Sequence, residues 1–545
     1  MFLSVMGDLE PELAGQFAGD AATRPAPGPV ERRPAPDPAR LRTPDHEARE
    51  VRPPVARMPG MATFVSELDP RPLWRHFDRI LATPRPSKHE EAMRALVLDV
   101  ARARNLATRT DDYGNVVVTL PASKGREKAP TVVLQSHLDM VCEKNAGVEL
   151  DFAKDPIVPR REGDWLYATG TTLGSDNGIG VAAMLAIAES DELVHGPLEL
   201  LFTVEEEIGL EGASALDPAL VTGRTLLNLD TEEEYALYVG CSGGAGSELA
   251  IPLDTMFGVD GRVGLAIRIS GLKGGHSGVD IHLQRGNALQ LLARALWPLW
   301  KEFQFEVLSI TGGNLTNAIP REAEAVLRLA PEDVVPFQKA LDAAFAGMRA
   351  ELATADPGLA WSAGEAPASG QVWSDATAAR VLALLAALPH GVIRMSDDIP
   401  GLVETSTNFA RVRTEGTVLR VSMSNRSSVD SALRALQSRM AGFAEVAGGE
   451  ATQSEGYPGW KPDMASPVLG RMKAVHERVV GKAPAIKAIH AGLECGVLGA
   501  KLKGCDMISF GPEIQHPHSP DERVLIPSVE RFWRLLAATL EDLAA

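Results

Sequence analysis

Cysteine is scarce in this chain: four residues in 545, Cys142, Cys241, Cys495 and Cys505, with no C-x-x-C pair among them. A chain of this length needs no disulfide staples, so the spacing argues for a reducing cytoplasm and against a thiolate metal cluster. Long apolar runs are missing too; none approaches the roughly 18 residues of a membrane span. The start, "MFLSVMGDLEPE", has no basic segment and turns acidic at once, which does not read as a signal peptide. Positive charge is also short. With 54 Lys and Arg against 72 Asp and Glu, the formal charge is -18, and no basic face would overcome that repulsion toward nucleic acid or an anionic membrane. What is present is the composition of an ordinary globular protein, 45% hydrophobic and 23% charged, in a chain long enough for two domains.

Residues 1–60 stand apart. "RPAPGPVERRPAPDPARLRTPDHEAREVRPPVARMPG" is rich in Pro, Ala and Arg without periodicity and reads as disordered, either a true tail or a stretch ahead of a folded chain that starts at Met61. From residue 70 the pattern is α/β. "PLWRHFDRILATP" and "EEAMRALVLDVARARN" have helical spacing, "NVVVTLP" and "TVVLQSH" are short β-branched runs, and "NGIGVAAMLAIAES", "PLELLFTV" and "GRTLLNLD" continue the alternation. Such alternation implies a sheet covered on both faces. After "CSGGAGSELA" the texture changes. "RVGLAIRISG" and "AEAVLRLA" alternate as half-buried strands, with amphipathic helices such as "ALQLLARALWPLWKEF" and "SVDSALRALQSRMAGF" between and after them. That predicts an α+β layer, a duplicated ferredoxin-like unit. From about residue 457, "AIKAIHAGLECGVL", "CDMISFGP" and a last helix return to the first style. The expected architecture is a discontinuous α/β domain, 61–243 with 457–545, and an inserted α+β domain, 244–456.

Four segments of the α/β part end a strand, or begin a loop, on acidic groups or a histidine: "QSHLDM", "TLGSDNGIG", "FTVEEEIGLEGA" and "LLNLDTEEE". A fifth, "QHPHSPDERV", lies near the C-terminus. The carboxyl ends of strands in an α/β sheet are where sites are built. Acidic groups gathered there repel one another unless a cation holds them, and imidazole with carboxylate but no thiolate is a ligand set for zinc, manganese or cobalt. Singly these residues are commonplace: a surface histidine, a solvated Glu205–Glu207 run, an Asp176 helix cap. Their shared position at strand ends carries the inference.

The sequence resembles the M20 family of di-metal peptidases, and within it the aminoacyl-histidine dipeptidases, through S-H-L-D-M, G-T-T-L-G-S-D-N-G-I-G, T-V-E-E-E-I-G, N-L-D-T-E and H-S-P-D-E-R, over nearly all of 61–545. The resemblance implies a catalytic domain of the phosphorylase/hydrolase-like, zinc-peptidase type carrying a lid domain, and two divalent metal ions per subunit, zinc first, with manganese or cobalt as alternatives. It implies His137 and Asp230 on one metal, Glu207 and His518 on the other, and Asp176 bridging them. Asp139 would orient the ligand His137, and Glu206 would be the general base. The family more often has Asp-Glu-Glu where this chain has Glu205-Glu206-Glu207; counting back from Gly209 favours Glu206 as base. Two divalent ions polarise a scissile carbonyl and lower the pKa of a shared water, while a carboxylate that is not a ligand moves the proton to the leaving amine.

In "SGLKGGHSGVDIHLQRGNA" the resemblance gives His276 the role of stabilising the tetrahedral oxyanion, in related proteins often across a homodimer. His282 has no such part and reads as a surface residue. Asn317 of "GGNLTNAIPREA" is similar to the family's lid asparagine near the substrate. Arg426 of "MSNRSSVDSA", at a strand end before a helix, suits a substrate carboxylate or a structural ion pair equally. Glu494 of "HAGLECGVLG" is a candidate partner for a free α-ammonium, whereas His490 reads as structural. The expected function is hydrolysis of dipeptides with free termini, including aminoacyl-histidine and β-alanyl-histidine. An N-acyl-amino-acid amidohydrolase, a tripeptide aminopeptidase and a catalytically dead binding module are the alternatives, the last disfavoured because all five ligands and the base are present.

Overall fold

β-branched and leucine-rich stretches that end on turn residues become the strands of a central eight-stranded sheet in the computed structural model, which describes residues 62–545. The segment 1–60, read as disordered, lies outside the described residues, as does Met61. The sheet order is Ala107–Thr110, Val116–Leu120, Leu198–Thr203, Val132–His137, Thr225–Asn228, Asp506–Ser509, Ala236–Cys241 and Ala485–Ile489. Its middle is parallel: Val132–His137 runs between Leu198–Thr203, with His137 opposite Thr203, and Thr225–Asn228, with Gln135 opposite Asn228. Parallel strands covered on both faces read as continuous apolar runs, and all six residues of Val132–His137 and of Leu198–Thr203 are buried. Alternate side chains feed two cores. Val132, Leu134, Leu198 and Leu200 pack with the helices Arg71–Leu81, Ser175–Glu189 and Ile526–Leu543. Val133, Leu201 and Leu226 pack with Leu210, Ala213 and Leu498 on the other side.

A nine-stranded antiparallel sheet carries the second apolar core, built with the helices Ala288–Phe303, Val334–Glu351, Asp375–Ala387 and Asp430–Val446. Val263–Ser270, Glu306–Gly312, Ala323–Leu329 and Ala360–Ala366 lie in the spatial order fourth, first, third, second, with a helix after the first strand and after the third. That is the ferredoxin-like arrangement, and it occurs twice. Gly243–Pro252, Val403–Glu415, Val418–Ser427 and Glu450–Gln453 form the second unit, in the order second, third, first, fourth. The first unit is inserted into the second, between its first strand and its helix Asp375–Ala387, so the duplication is nested. The units join where Gly312 pairs with Val412. Ser242 alone separates Ala236–Cys241 of one large sheet from Gly243–Pro252 of the other.

A small sheet completes the frame. Ile514–Gln515 and Arg523–Leu525 pair with each other, and Arg523–Leu525 also pairs with Trp165–Ala168, which fixes the loop 516–522 at the mouth of the parallel strands.

Candidate metal centre and its surroundings

Three neighbouring parallel strands end on polar residues for one reason: beyond their last ladder bonds the chain leaves the core and can present side chains to a common crevice. Val132–His137 ends on His137; Leu198–Thr203 runs into Glu205, Glu206 and Glu207; Thr225–Asn228 runs into Asp230. From the other wall comes Asp176 in the first turn of Ser175–Glu189, where a non-helical backbone (φ -81°, ψ 118°) interrupts the helix. His518 enters from the loop 516–522, its backbone held at φ 58°.

These side chains meet. His137 Nε2 lies 3.1 Å from Asp176 Oδ1 and 3.2 Å from Asp230 Oδ1. His518 Nε2 lies 3.3 Å from Asp176 Oδ2 and 3.2 Å from Glu207 Oε2. Asp176 therefore shares its two oxygens between two histidines, one on each side. Three groups, His137–Asp176–Asp230, His137–Glu206–Glu207 and Asp176–Glu207–His518, each bring their donor atoms within 4.8 Å of one another. All five expected ligands and Glu206 come together. Glu205 does not: its carboxylate accepts from Tyr113 Oη at 3.1 Å, and its backbone is at φ 53°. That turn separates it from Glu206 and Glu207, which lie with His137.

The electrostatics are those of crowded, buried carboxylates. Burial raises Glu206 well above the ordinary glutamate range, with Asp230, Glu207 and Glu494 adding to it against the pull of His137. Burial likewise raises Glu207 and Asp230. Hydrogen bonds to Asp176 and Glu207 push His518 up to about 11. For His137 burial opposes protonation, but Asp230 and the bonds to Asp139, Asp176 and Asp230 outweigh it. Carboxylates are crowded until only protonated imidazoles hold them, and the buried Glu207 Oε1 has no partner. The donor set of two imidazoles and several carboxylates, with an orphaned oxygen, fits divalent zinc, manganese or cobalt, which would replace the histidine protons.

Asp139 is fully buried behind His137. Its Oδ1 lies 3.3 Å from His137 Nδ1, off a straight hydrogen-bond line, and it accepts the Glu206 N–H at 3.0 Å. Its Oδ2 accepts the Glu207 N–H at 3.1 Å and Ser87 Oγ at 2.7 Å. One carboxylate thus lies against the histidine ring and accepts the backbone N–H groups of the glutamate pair.

The family model for peptidase family M20/M25/M40 matches residues 133–542. The chain belongs to this family. It is 39% identical over 481 residues to the cytosol non-specific dipeptidase of Escherichia coli, covering 88% of this chain and 99% of that protein. The crystal structure of aminoacylhistidine dipeptidase from Vibrio alginolyticus superposes with a TM-score of 0.82 at 40% identity, covering 88% of this chain and 98% of that one. The aminopeptidase PepT of Bacillus cereus, at 18% identity, 88% and 100% coverage and TM-score 0.55, shares the fold. The motif resemblance is thereby borne out, as is the mixed α/β architecture of the M20 peptidases.

Of the other residues expected at an M20 site, His276, Asn317 and Arg426 gather around Ser277, while Glu494 lies against the strands that carry the metal centre. His276 Nδ1 accepts the N–H of Gly278 at 3.2 Å and of Val279 at 3.0 Å, which leaves Nε2 to carry the ring proton. Burial, then the charge of Arg426, lowers its pKa to about 4, and the charge of His518 reaches it too. Asn317 is exposed and its carbonyl accepts the Ser277 N–H at 2.8 Å, beside His276. Arg426 Nε reaches Ser277 Oγ at 3.4 Å and its Nη1 reaches Tyr457 Oη at 3.0 Å, with no carboxylate partner among the described residues. His282 bonds the Val279 carbonyl at 2.8 Å on the surface, and His490 Nε2 pairs with Ser406 Oγ at 2.7 Å in the interior. Glu494 has no exposed surface: Oε2 accepts from Gln135 Nε2 at 2.5 Å and Thr203 Oγ1 at 2.8 Å, Oε1 has no partner, and burial pushes its pKa up to about 8.

Residues the sequence reading missed support this frame. Glu522 and Arg85, both buried, hold the turns that carry Asp176 and Asp139. Asn177 Nδ2 bonds both Asp230 Oδ1 and the Leu229 carbonyl. Glu522 and Asn177 stand inside quoted motifs and were findable as the polar neighbours of proposed ligands. Arg85, in "TPRPSK", carries no periodic signal.

Proposed function

We propose that this protein is a cytoplasmic di-metal dipeptidase that hydrolyses dipeptides with both termini free, aminoacyl-histidine dipeptides among them. The observation that carries the reading is the pair of histidine–carboxylate groups sharing Asp176, with Glu206 close to His137 but in no ion pair with a histidine among the described residues. His137, Asp230 and Asp176 would hold one ion, and Asp176, Glu207 and His518 the other, zinc first among the candidates. Bound there, two divalent cations supply Lewis acidity toward a peptide carbonyl and lower the pKa of water.

The chain's own groups do the rest. Glu206, which is no expected ligand and whose carboxylate burial raises above the ordinary glutamate range, takes a proton from the attacking water and returns it to the leaving amine. His276 is neutral at pH 7 and directs its Nε2–H at the developing oxyanion. Arg426, with no carboxylate of its own, receives the substrate's C-terminal carboxylate, and Asn317 lies beside His276 on the same loop pair. Glu494 would meet an α-ammonium only through its unpartnered oxygen, which must first be uncovered. Residues 61–243 and 457–545 act as the catalytic domain and 244–456 as the lid. A homodimer, in which His276 serves its own site or its neighbour's, completes the proposal.

The test is hydrolysis of Ala-His beside N-acetyl-Ala-His by enzyme stripped with chelator and reconstituted with zinc, manganese or cobalt. The expected result is metal-restored cleavage of the free dipeptide alone, with kcat lowered about 10²–10⁴-fold in Glu206→Gln. Preference for the acetylated compound would move the protein to the amidohydrolases.

A further inference from the structure

Glu522 is buried, and everything that touches its carboxylate donates to it. Oε2 accepts the N–H groups of Leu173 at 2.7 Å and Gly174 at 2.9 Å. Oε1 accepts Ser175 N–H at 2.7 Å, Ser175 Oγ at 2.6 Å and, more weakly, Asp176 N–H at 3.4 Å. These are the free amides at the start of the helix Ser175–Glu189, and a helix start buried without partners is unstable. The local sequence supplies no cap of its own, because the N-cap residue is Gly174 in a left-handed conformation (φ 70°) with no side chain. The cap comes instead from the turn that carries His518, in which Glu522 N–H bonds the Ser519 carbonyl at 3.0 Å.

Gly174 is gripped from both sides. Its amide goes to Glu522 and its carbonyl to Arg85 Nη2, while Arg85 Nη1 holds the Leu138 carbonyl at 3.0 Å and the Asp139 carbonyl at 2.5 Å. A side chain at 174 has no room: a Cβ there would sit 2.5 Å from Arg85 Nη2 and 2.9 Å from Met140 Sδ.

The two halves of the site are therefore anchored differently. His137 and Asp230 follow adjacent hydrogen-bonded strands of the central sheet and are indexed by its register. Asp176 and His518 sit on two turns far apart in sequence; besides the contact between the two side chains themselves, Glu522 joins those turns by hydrogen bonds to the backbone and to Ser175.

We propose that Glu522 is a positioning residue which sets Asp176 against His518 and so governs the affinity of the ion held by Asp176, Glu207 and His518 more strongly than that of the ion that shares Asp176 but takes its other donors, His137 and Asp230, from the sheet. The inference rests on the two-metal reading above. Outer partners of metal ligands tune affinity by about 10–100-fold, and because His518 is also carried by the turn that Glu522 anchors, the greater part of that loss falls on the ion His518 helps to hold.

The test uses the full chain, stripped of metal and titrated with cobalt(II), followed by visible absorption and by equilibrium dialysis. Far-UV circular dichroism of the metal-free proteins checks the fold. Wild type is expected to take two equivalents. Glu522→Gln, which turns an amide donor toward amides that need an acceptor, is expected to lose much less affinity at the first equivalent than at the second. The second should bind about 10–100-fold more weakly, with altered absorption. Ser175→Ala, which removes a single donor to Glu522, should shift the second equivalent in the same direction by less, and it decides the matter if Glu522→Gln does not fold. Equal weakening of both equivalents would make Glu522 a general stabiliser, and unchanged binding of both would give it no role at the metals; either overturns the proposal. Fewer than two equivalents in wild type would overturn the two-metal reading itself, a failure visible before any variant is compared.

Discussion

Replacing Asp139 by Asn changes one atom and disturbs four contacts. Oδ1 faces His137 Nδ1 at 3.3 Å and Glu206 N–H at 3.0 Å; Oδ2 faces Glu207 N–H at 3.1 Å and Ser87 Oγ at 2.7 Å. The new amide takes the orientation with its NH2 at the Oδ2 position, because there the Ser87 hydroxyl can turn and accept. Only the Glu207 N–H is then left facing a donor. An unsatisfied buried donor costs about 1–3 kcal/mol, so chemical denaturation of the metal-free protein should show a loss of that size. His137 keeps an oxygen partner but a neutral one, and its basicity toward a metal falls. A 10–100-fold loss of metal affinity, of the order seen for outer partners of metal ligands, is expected in chelator competition. At saturating metal, kcat should stay within about tenfold of wild type, since Oδ1 still holds the Glu206 amide. Wild-type affinity in a destabilised Asp139→Asn protein would refute the orienting role and leave Asp139 a structural acceptor.

Gly180→Ala should destabilise by about 1–3 kcal/mol in thermal unfolding and weaken metal binding, because its Cβ would lie 2.1 Å from Asn177 Oδ1, 2.5 Å from Ser136 Oγ and 2.8 Å from the Leu229 carbonyl, beside Asp230. Arg426→Lys, which removes the fork that grips a carboxylate, should raise KM for Ala-His by about tenfold or more with a smaller change in kcat; an unchanged KM would assign Arg426 to Tyr457 and Ser277 alone. His490 is pushed down to about 3 by burial and the charge of Arg426, while in the unfolded chain it titrates near 6.5. The unfolded state then binds the extra proton across that window, so stability of the metal-free protein falls with pH from 6.5 toward 3, by up to about 1.4 kcal/mol per pH unit from this group. Urea unfolding at successive pH values should show a shallower slope in His490→Gln, and an identical slope would remove His490 from the acid response.

The fold was legible wherever one face of an element met the core. Val132–His137 and Leu198–Thr203 are buried along their whole length and read as apolar runs, and Val263–Ser270 alternates in sequence because its residues alternate in exposure. Val403–Glu415 was not legible. Its first half, "VETSTNFA", is buried yet polar, since Ser406, Thr407 and Asn408 bond His490, Asn425 and the 316–318 carbonyls instead of packing against hydrocarbon. The nested duplication was hidden for a related reason: order along the chain says nothing of which strand closes which unit. At the site, ligand types and strand-end positions were enough to gather His137, Asp176, Glu206, Glu207, Asp230 and His518. The hydrogen bonds that orient them were harder to read: Glu522 stands inside a quoted motif, but it and Arg85 act mainly on backbone groups, and backbone groups leave no trace in residue identity. Glu494 shows the converse limit: named as a candidate partner for a free α-ammonium, it stands fully buried at a helix start.

The central claim is that two ions share Asp176 and that both are needed for peptide hydrolysis. The direct measurement is metal content by atomic emission on dialysed protein, taken at successive steps of zinc addition to chelator-stripped enzyme, with the rate of Ala-His hydrolysis measured on the same samples. The account predicts uptake to two equivalents per chain, with the full rate reached only as the second is bound. Saturation at one equivalent, or a full rate in the stripped protein, would contradict it.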